Sequence, residues 1–165
     1  MICACTLQAT ATGKQPRLTD DELMTLVQKQ TFRYFWDFAH PESGLARERS
    51  NDRLEIATIG GSGFGVMAII VGVERGFITR EQGAERLLKI VEFLNKADSY
   101  HGIWAHWMDG ATGKTIPFSR KDDGADLVES AFMFEGLLAA HQYFTHDNPT
   151  ENRIRGLINT LWHQA

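Results

Sequence analysis

The sequence predicts an all-α fold of helical hairpins, interrupted by one small β-hairpin near residues 102–117. Three observations carry this. Five segments repeat apolar residues at helical spacing. Two of them open on the same capping box, a Thr followed three residues later by Glu or Gln. The links between segments alternate in style, one tight and those before the second and fourth helices long. That suits hairpins set in a ring, with the long loops gathered at one mouth.

Residues 1–18 read as a disordered lead or the remnant of an export signal. The stretch 1–11 is small and mildly apolar, but it lacks a basic start and a full apolar run. Thr19-Asp20-Asp21-Glu22 then starts the first helix, whose acidic residues suit the positive end of the helix dipole. Leu23, Leu26, Val27, Phe35 and Phe38 extend it to about residue 39, and His40-Pro41 ends it. Residues 41–57 form a polar loop. A second helix covers about 59–75 with Val66, Ile69, Ile70 and Val73, and it stops at Gly76. Thr79-Arg80-Glu81-Gln82 opens the third, buried along Leu87, Leu88, Val91 and Leu94, so helices two and three form a tight αα-hairpin. The run from Gly102 to Met108 reads as a strand, 109–113 as a turn and 114–116 as the returning strand. A fourth helix runs from about Gly124 or Asp126 to Phe144. Asn148-Pro149 restarts the chain into a fifth helix, whose apolar pattern continues to Ala165 without a breaker.

Composition narrows the function. With 165 residues, 43% hydrophobic and 23% charged, the chain is one core-forming domain. Its 17 Lys and Arg form no block and the net charge is −4, so neither nucleic acid nor an anionic membrane is the expected partner. No apolar run approaches the roughly 20 residues of a transmembrane segment. Two cysteines, Cys3 and Cys5, make no disulfide scaffold, and there is no GxSxG elbow for a serine hydrolase.

Three clusters could carry chemistry. Gly63-x-Gly65-x-x-Ala68, led by 54–59 as a strand, fits a loose dinucleotide fingerprint, which requires a βαβ unit. Small residues there equally let two helices, or a ligand, approach the backbone. Asp122, Asp123, Asp126 and Glu129 form a carboxylate cluster, and Asp126 and Glu129 share one helix face at i, i+3. Helix dipole caps have this pattern; so do acid/base pairs and sugar-hydroxyl binders. In Tyr100-His101-Gly102-Ile103-Trp104-Ala105-His106-Trp107, alternation puts Trp104 and His106 on one face. A tryptophan beside carboxylates suits a pyranose, although Trp107 could equally be core. His101 and His106 alone do not make a metal site, and none is expected.

At these residues the sequence resembles a known family. The matching runs are Thr31-Phe32-Arg33-Tyr34-Phe35-Trp36-Asp37-Phe38, His40-Pro41-Glu42-Ser43-Gly44-Leu45-Ala46-Arg47-Glu48-Arg49, Gly63-Phe64-Gly65, and Val71-Gly72-Val73-Glu74-Arg75-Gly76-Phe77-Ile78-Thr79-Arg80. The hairpin through Thr112-Gly113-Lys114 and the run Asp126-Leu127-Val128-Glu129 complete it. Residues 19–165 are similar to the N-terminal portion of glycoamylase-like domains. That group includes the endo-β-1,2-glucanases of glycoside hydrolase family 144 and domains of cyclic β-1,2-glucan synthases.

The resemblance implies an (α/α)6 toroid, hydrolysis or transfer at β-linked glucan, no cofactor, and a location in the periplasm or outside the cell. It assigns Asp126 and Glu129 to acidic, catalytic positions of the pocket. Arg47, Trp104, His106, Asp122 and Asp123 join as sugar contacts read from the residues themselves. Twelve helices with loops need about 300–400 residues, and five are present. The expectation is therefore an incomplete toroid that is inactive alone and self-associates through exposed apolar faces. The alternative is a non-catalytic carbohydrate-binding or helical interaction module. A nucleotide-binding protein is the third reading.

Overall fold

The computed structural model describes residues 17–165. The lead, with Cys3 and Cys5, falls almost wholly outside the described residues.

Thr19 caps α1 (Asp20–Trp36) through the expected reciprocal box with Glu22. The helix ends three residues sooner than the apolar pattern suggested. The carbonyl of Arg33 accepts from both Asp37 and Phe38, at 2.9 and 3.2 Å, and this turns the chain before Pro41 is reached. Phe38 therefore belongs to the turn, where the Arg47 guanidinium lies over its ring.

α2 (Ile59–Glu74) ends on a Schellman motif. Gly76 takes φ +67°, its N–H reaches Val73 O, and the N–H of Phe77 reaches Gly72 O at 2.8 Å. The short link lets α3 (Arg80–Leu94), capped by Thr79 and Gln82, fold back against α2. Asp126 caps α4 (Leu127–Tyr143), and Asn148 caps α5 (Pro149–Gln164), which has proline at its first position.

α2 and α4 are mostly apolar, whereas α1, α3 and α5 carry a polar face. The first pair forms the inner layer and the other three the outer layer. α2 and α4 run parallel and touch through their main chains. A Cβ on Gly63 would lie 2.2 Å from the carbonyl oxygen of Phe132, and one on Gly136 would lie 2.5 Å from that of Gly63. Leu45, Ile59, Val66, Leu87, Val91, Met133, Leu137, Phe144, Ile154 and Ile158 fill the space between the layers. This is an arc of an (α/α)6 toroid.

A buried ion pair staples the outer layer. Glu151, 2% exposed, accepts two bonds from Arg80 at 2.9 Å each and one from the His146 N–H at 2.8 Å. Arg80 also donates to Tyr143 O at 2.8 Å, so α3, α4 and α5 meet at one knot.

The β-structure differs from the expected two-stranded hairpin. β1 (Ile56–Thr58), β2 (Trp107–Asp109) and β3 (Thr115–Ile116) form a three-stranded antiparallel sheet in that order. β1 comes from the end of the loop read as polar, and Thr58 pairs with Trp107. The strand expected from Gly102 begins only at Trp107. Residues 100–103 form a separate tight turn, in which His101 and Gly102 both take positive φ and Tyr100 and Ile103 exchange hydrogen bonds.

Among the described residues, several apolar surfaces remain open. Leu23, Met24, Leu26 and Val27 are exposed on α1. Between α4 and α5, Leu127, Ala131, Leu138 and Trp162 line a groove of about 640 Å³. No helix among the described residues is long and apolar enough to cross a membrane.

Candidate active site

The N-termini of α2 and α4 open side by side at the mouth of the arc, and the sheet lies across them. Pairing of Thr58 with Trp107 places His106 at the start of α2, where its carbonyl accepts from the Ile59 N–H. Here His106, Asp126 and Glu129 converge. His106 Nδ1 lies 3.2 Å from Asp126 Oδ2, and its Nε2 lies 3.9 Å from Glu129 Oε1. All three side chains are mostly buried yet open to the mouth.

Asp126 has two tasks. Its Oδ1 caps α4, accepting from the N–H groups of Val128 and Glu129 at 2.9 and 3.0 Å. That leaves Oδ2 for His106 and whatever enters the mouth. The His106 ring is held from its other side by Phe118, stacked at 4.2 Å. Glu129 is anchored across the helix pair by the Gly60 N–H at 2.8 Å.

Asp122 belongs to the group, and Asp123 lies exposed on the loop outside it. Among the described residues, His106, Asp122 and Asp126 are the three metal-capable side chains whose ligand atoms lie within 4.8 Å of one another. His101 sits in the tight turn against Tyr100, away from that group.

One expected sugar contact is buried, and a second is engaged by the loop. Trp104 is 1% exposed, its ring against Phe134 and its indole N–H directed at Leu94 O. The backbone around it is not a free strand: its carbonyl accepts from the Asp126 N–H and its N–H reaches Ser130 Oγ, so the indole is drawn into the core. Alternation therefore does not put Trp104 beside His106. Arg47 braces the loop. It donates to Leu54 O at 2.8 Å and to Phe38 O, and its carbonyl accepts from Tyr34 Oη.

Sequence reasoning passed over Glu48, Phe118 and Arg53. Arg47 bridges to Ala57 and the Glu48 N–H donates to Ile56 O, so these neighbours leave the β-like segment on opposite faces. Arg47 packs over Phe38, and Glu48 lies near enough to His106 for their charges to interact. The Arg49 guanidinium holds the Glu48 carboxyl below the usual carboxylate range; burial opposes this, and Arg53 and His106 reinforce it. Arg53 lies over the Trp107 ring at 5.1 Å. Trp107 is 8% exposed, with its indole N–H buried and unpartnered among the described residues. Period-two alternation from Arg47, applied to the loop, was the signal that could have found Glu48.

The dinucleotide reading fails on topology. β1 does lead into α2, but it pairs antiparallel with β2, and α2 is followed by another helix. The slot that a phosphate would take at the start of α2 holds the carboxylate of Glu129.

Comparisons with known proteins bear on the fold and the sequence likeness. No family model matches the chain. A candidate glucoamylase from Bacteroides uniformis is 83% identical with a TM-score of 0.90, over 92% of this chain and 37% of its own. An endo-β-1,2-glucanase from Chitinophaga pinensis, solved with sophorotriose and glucose, is 51% identical with a TM-score of 0.86, over 90% of this chain and 37% of its own. An exo-β-1,2-glucooligosaccharide sophorohydrolase from Parabacteroides distasonis is 53% identical over 146 residues, 88% of this chain and 20% of that protein. The likeness to β-1,2-glucanases read from the sequence therefore holds over nearly the whole chain. The chain spans between a fifth and two fifths of the length of these relatives.

Proposed function

We propose that the chain forms one wall of the substrate pocket of a glycoside hydrolase acting on β-linked glucan, with β-1,2-glucan the favoured substrate. One observation carries this reading. His106, Asp126 and Glu129 converge at the mouth of an arc that is about half identical to enzymes named for that linkage.

The chemistry follows from the placement. Glycosidic cleavage uses two carboxyls across the scissile bond, one protonating the leaving oxygen and the other activating water or attacking the sugar. Asp126 and Glu129 project from one turn of one helix, so they act from the same side. One of them serves as a member of the opposed pair, and the other binds hydroxyls or steadies the sugar. In this reading the opposite carboxyl comes from the far side of the toroid, from helices beyond these five. Asp122, Asp126 Oδ2 and Glu129 Oε1 accept hydrogen bonds from sugar hydroxyls, and the half-exposed Phe118 ring offers a face to a pyranose. The same reading places the protein in the periplasm or outside the cell, where polymeric glucan is met.

The test is to incubate the chain with β-1,2-glucan, assay reducing ends and measure binding by calorimetry. Binding without turnover is the expected result. Robust turnover by the chain alone would overturn the claim that the opposed carboxyl lies elsewhere. Absence of binding to any β-glucan would remove the carbohydrate reading.

A further inference from the structure

The glycine run opening α2 is explained neither by nucleotide binding nor by the proposed chemistry so far. We infer that Gly60 and Thr58 are positioning residues that fix the Glu129 carboxylate against the mouth, an inference that rests on the proposal that Glu129 faces the glucan. Thr58 is the N-cap of α2, yet its side chain caps nothing in its own helix, and no acidic residue stands in the first turn. The cap arrives from another helix. Glu129 Oε2, 69 residues away in sequence, accepts the Gly60 N–H at 2.8 Å, and Thr58 Oγ1 lies 3.4 Å from the same oxygen. One of the free donors at the start of α2 is thus satisfied in trans, at the end of the helix dipole that favours negative charge.

The glycines make room for this. A Cβ on Gly60 would lie 2.5 Å from Oε2 and 3.0 Å from the carboxyl carbon, so any side chain there expels the carboxylate. A Cβ on Gly61 would lie 2.6 Å from Cγ2 of Thr58 and push that side chain from its place. With Oε2 tied down, Glu129 keeps Oε1 toward His106. It presents one orientation to a ligand rather than sampling several, and freezing a group in its working orientation is a recognised source of affinity and rate.

Two measurements on the full chain test this independently. In the first, amide hydrogen exchange is followed in wild type and Glu129→Ala. Gly60 N–H should exchange about tenfold faster in the variant while the later amides of α2 are unchanged. An unchanged Gly60 rate overturns the inference. In the second, affinity for sophorotriose is measured for wild type, Thr58→Ser, Thr58→Val and Gly60→Ala. Gly60→Ala should weaken binding about tenfold or more, Thr58→Val by several-fold, and Thr58→Ser should restore wild-type affinity. Because Gly60→Ala could fail to fold, the Thr58 pair decides the outcome in that case. Equal affinities for the valine and serine variants overturn the inference. If the wild type binds no sophorotriose, the glucan reading falls, and the exchange experiment alone decides whether Glu129 is held by Gly60.

Discussion

Glu151→Gln removes one charge from the knot that joins α3, α4 and α5 while keeping the side chain's shape. Burial alone would raise the Glu151 carboxyl, but Arg80, the His146 N–H and the Asn148 amide outweigh it and bring the pKa from 4.5 to about 2. At about 1.4 kcal/mol per pH unit, that depression is worth about 3 kcal/mol of stability at neutral pH. The carboxyl binds its proton less readily in the folded chain. The contribution is therefore complete above about pH 4.5 and disappears as the pH falls toward 2. Glutamine retains an acceptor, and Arg80 keeps its bond to Tyr143 O and its place over the Tyr143 and Phe144 rings. The expected loss is thus about 2–3 kcal/mol at pH 7, below the upper range for breaking a buried pair. Urea unfolding of wild type and variant at pH 7, 4 and 2.5 measures it. The gap between the two proteins should be widest at pH 7 and fall to about a quarter of that at the lowest pH. A gap under about 0.5 kcal/mol at pH 7 refutes the reasoning, since that is the size of an ordinary surface change. So does a gap of equal size at all three values.

Four further outcomes are expected. Asp126→Asn should keep the helix cap, with stability within about 0.5 kcal/mol of wild type, yet weaken glucan binding. Asp126→Ala should cost about 1 kcal/mol in addition, as read by urea unfolding. Trp104→Ala should destabilise by about 3–5 kcal/mol because it empties a core position, and Trp104→Phe should leave glucan affinity unchanged in calorimetry. Gly63→Ala should cost at least about 1–3 kcal/mol in thermal or urea unfolding, because its methyl meets main chain that cannot rotate away. With the groove between α4 and α5 uncovered, light scattering of the chain should give an apparent mass that rises with concentration above 18.6 kDa.

Local chemistry made most of the helical plan legible. Both threonine capping boxes, Gly76 at the end of α2 and Asn148-Pro149 at the start of α5 are decided within a few residues, and each stands where the pattern put it. The end of α1 was not legible because phenylalanine continues the apolar spacing after the hydrogen-bonding pattern has stopped. β1 was hidden for a related reason: three residues at the end of a polar loop become a strand only because β2 lies beside them. In the candidate site, the i, i+3 placement of Asp126 and Glu129 could be read directly. The burial of Trp104 and the capping of α2 by Glu129 depend on partners tens of residues away. No spacing rule reaches them.

The main-chain contact between Gly63 and Gly136 sets limits on how this scaffold can be redesigned. Two helices whose backbones already touch cannot be brought closer, and any substituent wedges them apart. The gauge of the inner wall is therefore built from peptide groups, independent of the side chains around it. A library that varies Phe64, Met67 and Phe132 can repaint that wall without moving it. A change of ligand size has to come from the loops at the mouth, 41–55 and 98–125, which can lengthen or fold differently while the curvature of the arc stays fixed.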